Sequence, residues 1–115
     1  MASMTLYISG GMSGYAEWNF PLFNAVEKAL TDLGYAVVNP SHLNKPGTPW
    51  EECLRVDLIE MLSQNVQGVA VLPKWEDSRG ARLEVHIAKE LGIPVQPYDH
   101  WIEIAQRMRR FFRAN

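Results

Sequence analysis

Thr5-Leu6-Tyr7-Ile8-Ser9-Gly10-Gly11-Met12-Ser13-Gly14 is the stretch on which the fold assignment turns. Thr5 to Ile8 is a short apolar segment that ends at Ser9-Gly10-Gly11. Such a run, closed by glycines, reads as a buried strand followed by a turn. Beyond it, Asn19 to Leu33 carries Phe20, Phe23, Val26, Leu30 and Leu33 at helical spacing. Asn19 is the expected N-cap, Pro21 fits the first helical turn, and Gly34 is a natural stop. A strand, a glycine turn and an amphipathic helix together open a parallel α/β unit.

The rest of the chain repeats that alternation. Tyr35 to Val38 is a second short strand, closed by Asn39-Pro40, and Ser41 to Pro49 is the longest irregular segment. Loops of that length in compact domains are often functional. A helix is expected from Trp50 to about Ser63, with Cys53, Leu54, Leu58, Met61 and Leu62 on one stripe. Val69 to Leu72 reads as a strand, Pro73 to Asp77 as a loop, and Ser78 to Leu91 as a helix stopped by Gly92. Ile93 to Gln96 is the last strand and His100 to Phe112 the last helix. Strands separated by helices, with right-handed crossovers, give an α/β three-layer sandwich around a parallel sheet of order 2-1-3-4. Ligands bind such sheets at the carboxyl ends of the strands beside the switch point. That rule brings Ser9 to Gly14 and Pro73 to Glu84 to one site.

Composition narrows the functional classes. The 115 residues make one domain, small enough that self-association is expected. A net charge of −2 offers no broad basic field for nucleic acid. The arginines of the last helix, Arg107, Arg109, Arg110 and Arg113, read as a solvated face or a subunit contact. The single cysteine, Cys53, excludes an intrachain disulfide and zinc-cluster chemistry. No apolar run approaches the roughly 20 residues that span a bilayer. Met1-Ala2-Ser3-Met4 lacks the regions of a signal peptide, so a soluble, cytoplasmic protein is expected.

Two segments carry candidate chemistry. In Ser9 to Gly14, three glycines let backbone amides approach a ligand and two hydroxyls can donate to it. The spacing is neither a dinucleotide fingerprint nor a P-loop, and alone it reads as a tight turn. In Ser78-Arg79-Gly80-Ala81-Arg82-Leu83-Glu84 a strand passes into a helix whose N-terminus favours anions. Ser78 can cap that helix, and Arg79 or Arg82 can meet an anion in a bidentate fashion. The plainer reading is an ordinary capped helix with exposed arginines. Glu84 lies about two turns in, beside an apolar stripe, and is either a solvated carboxylate or one turned to the cleft. Trp75 is placed to stack on a base or to pack at an interface, while Trp18, Trp50 and Trp101 are expected in the core. His42, His86 and His100 lack metal-ligand spacing.

Four pieces, in order, carry a family resemblance: Tyr7 to Gly14; Asn19-Phe20-Pro21 with Phe23-Asn24; Val38-Asn39-Pro40; and Leu72 to Glu84. Together they resemble the small phage and bacterial proteins related to nucleoside 2-deoxyribosyltransferases. The resemblance implies a flavodoxin-like sandwich, a homodimer or larger homo-oligomer, a nucleoside or nucleotide ligand, and no metal or other cofactor. It also implies that Glu84 attacks the anomeric carbon of a 2′-deoxynucleoside to form a glycosyl ester, and that Tyr7 orients it. Ser9, Gly10, Gly11, Met12, Asn19, Asn65, Trp75, Ser78, Arg79 and Gly80 are the expected substrate-binding residues.

The match departs from the family pattern at three positions. Asn65 stands where transferases carry an aspartate, and an amide is no general acid, a loss of about 10²–10⁴ in rate. The alternatives for an acid are Asp57 and Asp77. Ser78 stands where transferases carry a second aspartate and monophosphate hydrolases a phosphate-binding serine, which favours a nucleotide. Gly11 replaces a proline and predicts a looser first loop. The leading expectation is therefore N-glycosidic cleavage of a 2′-deoxynucleotide, by hydrolysis more readily than transfer. The alternatives are binding of a nucleotide or ADP-ribose-like ligand without turnover, and a scaffold that kept the fold and lost the site.

Overall fold

The computed structural model describes residues 4–114, so the reading of Met1 to Ser3 lies outside the described residues. The chain alternates β1 (Thr5–Ser9), α1 (Phe20–Asp32), β2 (Ala36–Val38), α2 (Trp50–Ser63), β3 (Gly68–Val71), α3 (Arg79–Glu90), β4 (Val95–Pro97) and α4 (Tyr98–Ala114). The four strands are parallel and ordered β2-β1-β3-β4, the expected order. Tyr7 pairs with Val38 on one side and Val69 on the other, which makes β1 and β3 the centre of the sheet.

The alternation of side chains along a strand divides the core into two layers. Leu6 and Ile8 of β1, with Ala70 and Leu72, pack on Phe23, Val26 and Leu30 of α1 and Trp101 of α4. Tyr7, Val69 and Val71 point the other way, onto Met61 of α2 and Val85 and Ala88 of α3. Helices therefore cover both faces, and β1 and β3 are buried throughout, apart from half-buried Thr5. Gly34 ends α1 in the left-handed region, at φ 99°, as a helix stop requires.

Some expectations need correction. The α2 stripe is not a core stripe: only Met61 is buried, and Leu62 is 53% exposed. The amino-terminal half of α2 flanks a cavity instead of the sheet, so Cys53 and Leu54 face open space. Asn19 stands before α1 but does not cap it through its side chain, because Glu17, Trp18 and Asn19 form a left-handed turn. Trp18, 38% exposed, and half-buried Trp50 line that same cavity, and of the three tryptophans expected in the core only Trp101 is there. The Ser41–Pro49 and Pro73–Asp77 loops contain short 3-10 turns at Pro40–His42 and Trp75–Asp77.

Trp101 docks α4. Its indole Nε1 donates to the Val69 carbonyl at 2.9 Å, and its ring meets Tyr35 edge-on at 6.2 Å. The Tyr35 hydroxyl in turn donates to the Trp101 carbonyl at 2.7 Å. Trp101→Ala removes the indole from a closed site and is expected to cost about 3–5 kcal/mol of stability. Urea unfolding of the variant and parent measures it, and a loss below about 1 kcal/mol would contradict this account.

Candidate functional site

Helix α3 carries a carboxylate into the core. Ser78 caps it by accepting the Ala81 N–H at 3.2 Å, and Ala81, Val85 and Ala88 then turn one face to the sheet. Glu84 shares that face at helical spacing and is 5% exposed. The pleat of β1 presents Tyr7 and Ser9, two residues apart, to the same layer. The Tyr7 hydroxyl donates to Glu84 Oε2 and the Ser9 hydroxyl to Oε1, each at 2.7 Å. One donor thus serves each carboxylate oxygen, and each oxygen keeps acceptor capacity.

Glu84 lies in the lining of a cavity of about 540 Å³ at the carboxyl ends of β1 and β3. That volume falls in the range of about 300–1,000 Å³ typical of small-molecule sites. Gly10, Gly11, Met12, Tyr15 and Trp18 form one wall, and Ser78, Arg79, Gly80 and Asp77 another. Trp50, Cys53, Leu54 and Asp57 of α2 and the Asn44–Thr48 segment close the rest. The Arg79 guanidinium lies 4.0 Å from the Trp50 ring centroid, a cation–π stack that holds a positive charge at the rim. The wall segment is anchored behind the cavity. Asn39 donates to Asn24 and Glu27 at 3.0 Å each, and Ser41 donates to Asn24 at 2.8 Å.

The expected residues divide into groups. Gly10, Gly11, Met12, Ser78, Arg79, Gly80 and Glu84 line the cavity together. Tyr7 and Ser9 are fully buried and act on the cavity only through Glu84. Asn19 lies outside the lining and donates to the Gly11 carbonyl at 2.9 Å. That bond, with the Tyr15 N–H on the Met12 carbonyl, ties down the loop that a glycine at position 11 was expected to loosen. A Cβ there would come 2.7 Å from the Tyr15 ring, so glycine admits the ring.

Asn65 and Trp75 are not in the lining. Asn65 is exposed, follows the end of α2 at φ 54°, and precedes β3 at the amino end of the sheet. It is a left-handed residue just past a helix terminus, a place asparagine tolerates well. Trp75 packs against Val69, Val71, Val85 and Ala88 and has no cavity face for a base. Arg82 turns back to the Glu76 carbonyl at 2.7 Å, which leaves Arg79 as the arginine of the site. Asn44, Lys45 and Tyr15 were not among the expected residues, whereas Asp57 and Asp77, the alternatives for an acid, both line the cavity. For Asp57 the signal was its place on the cavity side of α2, two turns beyond Trp50.

Residues 4–97 match DUF4406, a domain of unknown function. The chain belongs to the DUF4406 family. A comparison with curated proteins gives no match. The matched span of this DUF4406 domain contains every strand and the whole cavity lining, and it stops just before α4. Among the described residues no helix is long and apolar enough to cross a membrane, and no cluster of His, Cys, Asp or Glu could hold a metal ion.

Burial governs the site's acid–base behaviour. Loss of hydration pushes the Glu84 carboxyl up to about 8, against the pull of the Ser9 and Tyr7 hydroxyls, and the charge of Asp57 adds to the rise. Asp57 is pushed up to about 6 by burial, with the Asn44 amide opposing. Burial first, then Glu84, holds the Tyr7 phenol well above its usual value, so it stays a donor. Between about pH 6 and 8 the two carboxyls hold one proton between them. A carboxyl with a raised folded value binds more protons folded than unfolded, so stability falls as pH rises between the two values. For Glu84 that window runs from 4.5 to about 8. Thermal melts should show the DUF4406 domain losing stability across it, with the loss flattened in Glu84→Gln and the variant the more stable above pH 8. Parallel profiles for parent and variant would contradict the burial argument.

Proposed function

We propose that this DUF4406 domain cleaves the N-glycosidic bond of a 2′-deoxynucleoside 5′-monophosphate, with Glu84 as nucleophile. The observation that carries the reading is the Tyr7–Glu84–Ser9 arrangement, a carboxylate fixed at both oxygens and opening on a nucleotide-sized cavity. The resemblance to nucleoside 2-deoxyribosyltransferases supports the same chemistry. Asp57 supplies the acid that Asn65 cannot.

In the productive arrangement the shared proton is on Asp57 and Glu84 is ionised. A Glu84 oxygen bonds to the anomeric carbon while the carbon–nitrogen bond breaks, and its electron pair leaves with the base. The base nitrogen takes the Asp57 proton. Water then attacks the same carbon, Asp57 accepts its proton, and the ester bond breaks to return the Glu84 carboxylate. A carboxylate nucleophile divides one displacement into two in this way. The hydroxyls of Tyr7 and Ser9 keep the carboxylate aimed through both steps. Arg79 and Lys45, both in the lining, and the capped N-terminus of α3 suit a 5′-phosphate.

A second reading, binding without turnover, is favoured by the high Glu84 value. A carboxyl that is neutral at pH 7 is a hydrogen-bond donor to a ligand rather than a nucleophile.

Incubation with a panel of deoxynucleosides and their 5′-monophosphates, followed by chromatography for free base, decides between them. Base release from the monophosphates is expected, abolished in Glu84→Gln and slowed about 10²–10⁴-fold in Asp57→Asn. Absence of release from every member, with thermal shifts that persist, would transfer the assignment to binding. Full activity in Glu84→Gln would remove the nucleophile assignment.

A further inference from the structure

Asp57 has one neutral polar partner that the mechanism above does not use. The Asn44 amide Nδ2 donates to Asp57 Oδ1 at 2.7 Å, from the wall segment onto α2. The same nitrogen approaches the Pro40 carbonyl at 3.4 Å. With acceptors on both sides, the amide keeps its NH₂ toward Asp57, because the flipped form would set its oxygen against the Pro40 carbonyl. An NH₂ group only donates. Oδ1 of Asp57 is thereby held as an acceptor, and any proton on this carboxyl must sit on Oδ2.

We propose that Asn44 is the positioning residue for Asp57 and biases the shared proton of the site away from it. Its donor favours ionised Asp57 and so helps to leave the proton on Glu84. Loss of the Asn44 contact weakens that preference and raises the share of the proton held by Asp57. No atom is gained or lost, since one proton moves between two carboxyls. Because Asn44 belongs to the segment whose Lys45, Pro46, Gly47 and Thr48 also line the cavity, a ligand that engages this wall acts on the acid directly. The catalytic meaning of the device rests on the role proposed above for Asp57.

The other groups around Asp57 do not substitute for this donor. Glu84 from α3, Tyr7 from β1 and Cys53 from α2 all feel the Asp57 charge, and each would oppose its ionisation if charged. Asp77, Lys45 and Arg79 share the cavity lining, but the hydrogen bond accepted by Asp57 comes from Asn44.

Carboxyl ¹³C NMR titration of Asp57 and Glu84 in the purified protein, without substrate, tests the assignment. The parent is expected to show an Asp57 midpoint about 6. In Asn44→Leu, and in the smaller polar Asn44→Ser, that midpoint is expected to rise by about 1 unit or more while the Glu84 midpoint falls. Thermal melts of both variants report whether the fold is kept, and either folded variant suffices. An Asp57 midpoint that stays at the parent value in a folded variant overturns the proposal, because a segment held only for shape would leave it there. The titration uses no substrate. A shifted midpoint supports the Asn44 assignment even where no base is released, and an unshifted one overturns it even where base is released. Where base is released, the acid limb of kcat/KM, which follows Asp57, is expected to move upward in the same variants.

Discussion

A carboxylate buried between a strand and a helix is the constraint around which the rest of this structure is arranged. Placed on the sheet-facing side of α3, Glu84 loses most of its hydration, and an unpartnered charge there would cost several kcal/mol. Two hydroxyls one pleat apart on β1 offset that cost, and they are in reach only because β1 lies beside β3 at the centre of the sheet. The order β2-β1-β3-β4 is therefore tied to the site. Moving β1 away from β3 would take both donors away from the helix that follows β3. Tyr7 serves two ends at once, since its ring packs with Met61 and Val66 while its hydroxyl holds Glu84.

Much of this was legible in the residues. Short apolar runs closed by Ser-Gly-Gly, Asn-Pro and Gly specify strands that must stop, and the helical stripes of α1 and α3 specify which faces meet the sheet. From these the strand order and the placement of Ser9–Gly14 beside Ser78–Glu84 follow without coordinates. The periodicity of α2 misled, because its apolar residues serve three surroundings. Met61 meets the core, Leu54 the cavity, and Ile59 and Leu62 the exterior. A sequence stripe records hydrophobicity and cannot separate a core from a cavity wall.

The cavity rim was the least legible part, for a conformational reason. Glu17, Trp18 and Asn19 occupy the left-handed region in succession, at φ 52°, 58° and 61°. Each such residue without glycine costs roughly 1–2 kcal/mol, so no propensity scale anticipates a turn of three. Hydrogen bonds hold it, the Asn19 amide on the Gly11 carbonyl and, within the turn, the Trp18 N–H on the Tyr15 carbonyl. The strain is spent at the mouth of the cavity, where it sets Tyr15 and Trp18 in the wall. Asn65 misled for the complementary reason. The family resemblance set it among the substrate-binding residues, whereas its backbone angle marks a helix terminus.

The same burial that specifies the fold also bears on the chemistry. A solvated pair of carboxylates would both be ionised at pH 7 and would offer a nucleophile with no acid. Burial raises both, but unequally, because Glu84 is enclosed by the sheet while Asp57 keeps one face on the cavity and a donor from Asn44. A pair holding a single proton is the state in which one member can attack while the other donates. The difference between the two, about two units of pKa, is small enough for a ligand's hydrogen bonds to reverse. The Asn39–Thr48 segment is suited to that role by its attachments. It is fixed to α1 behind the cavity, through Asn39 and Ser41, and hydrogen-bonds the acid through Asn44. A wall anchored at one end and hydrogen-bonded to a titrating group at the other converts occupancy of the cavity into a change of protonation at its floor.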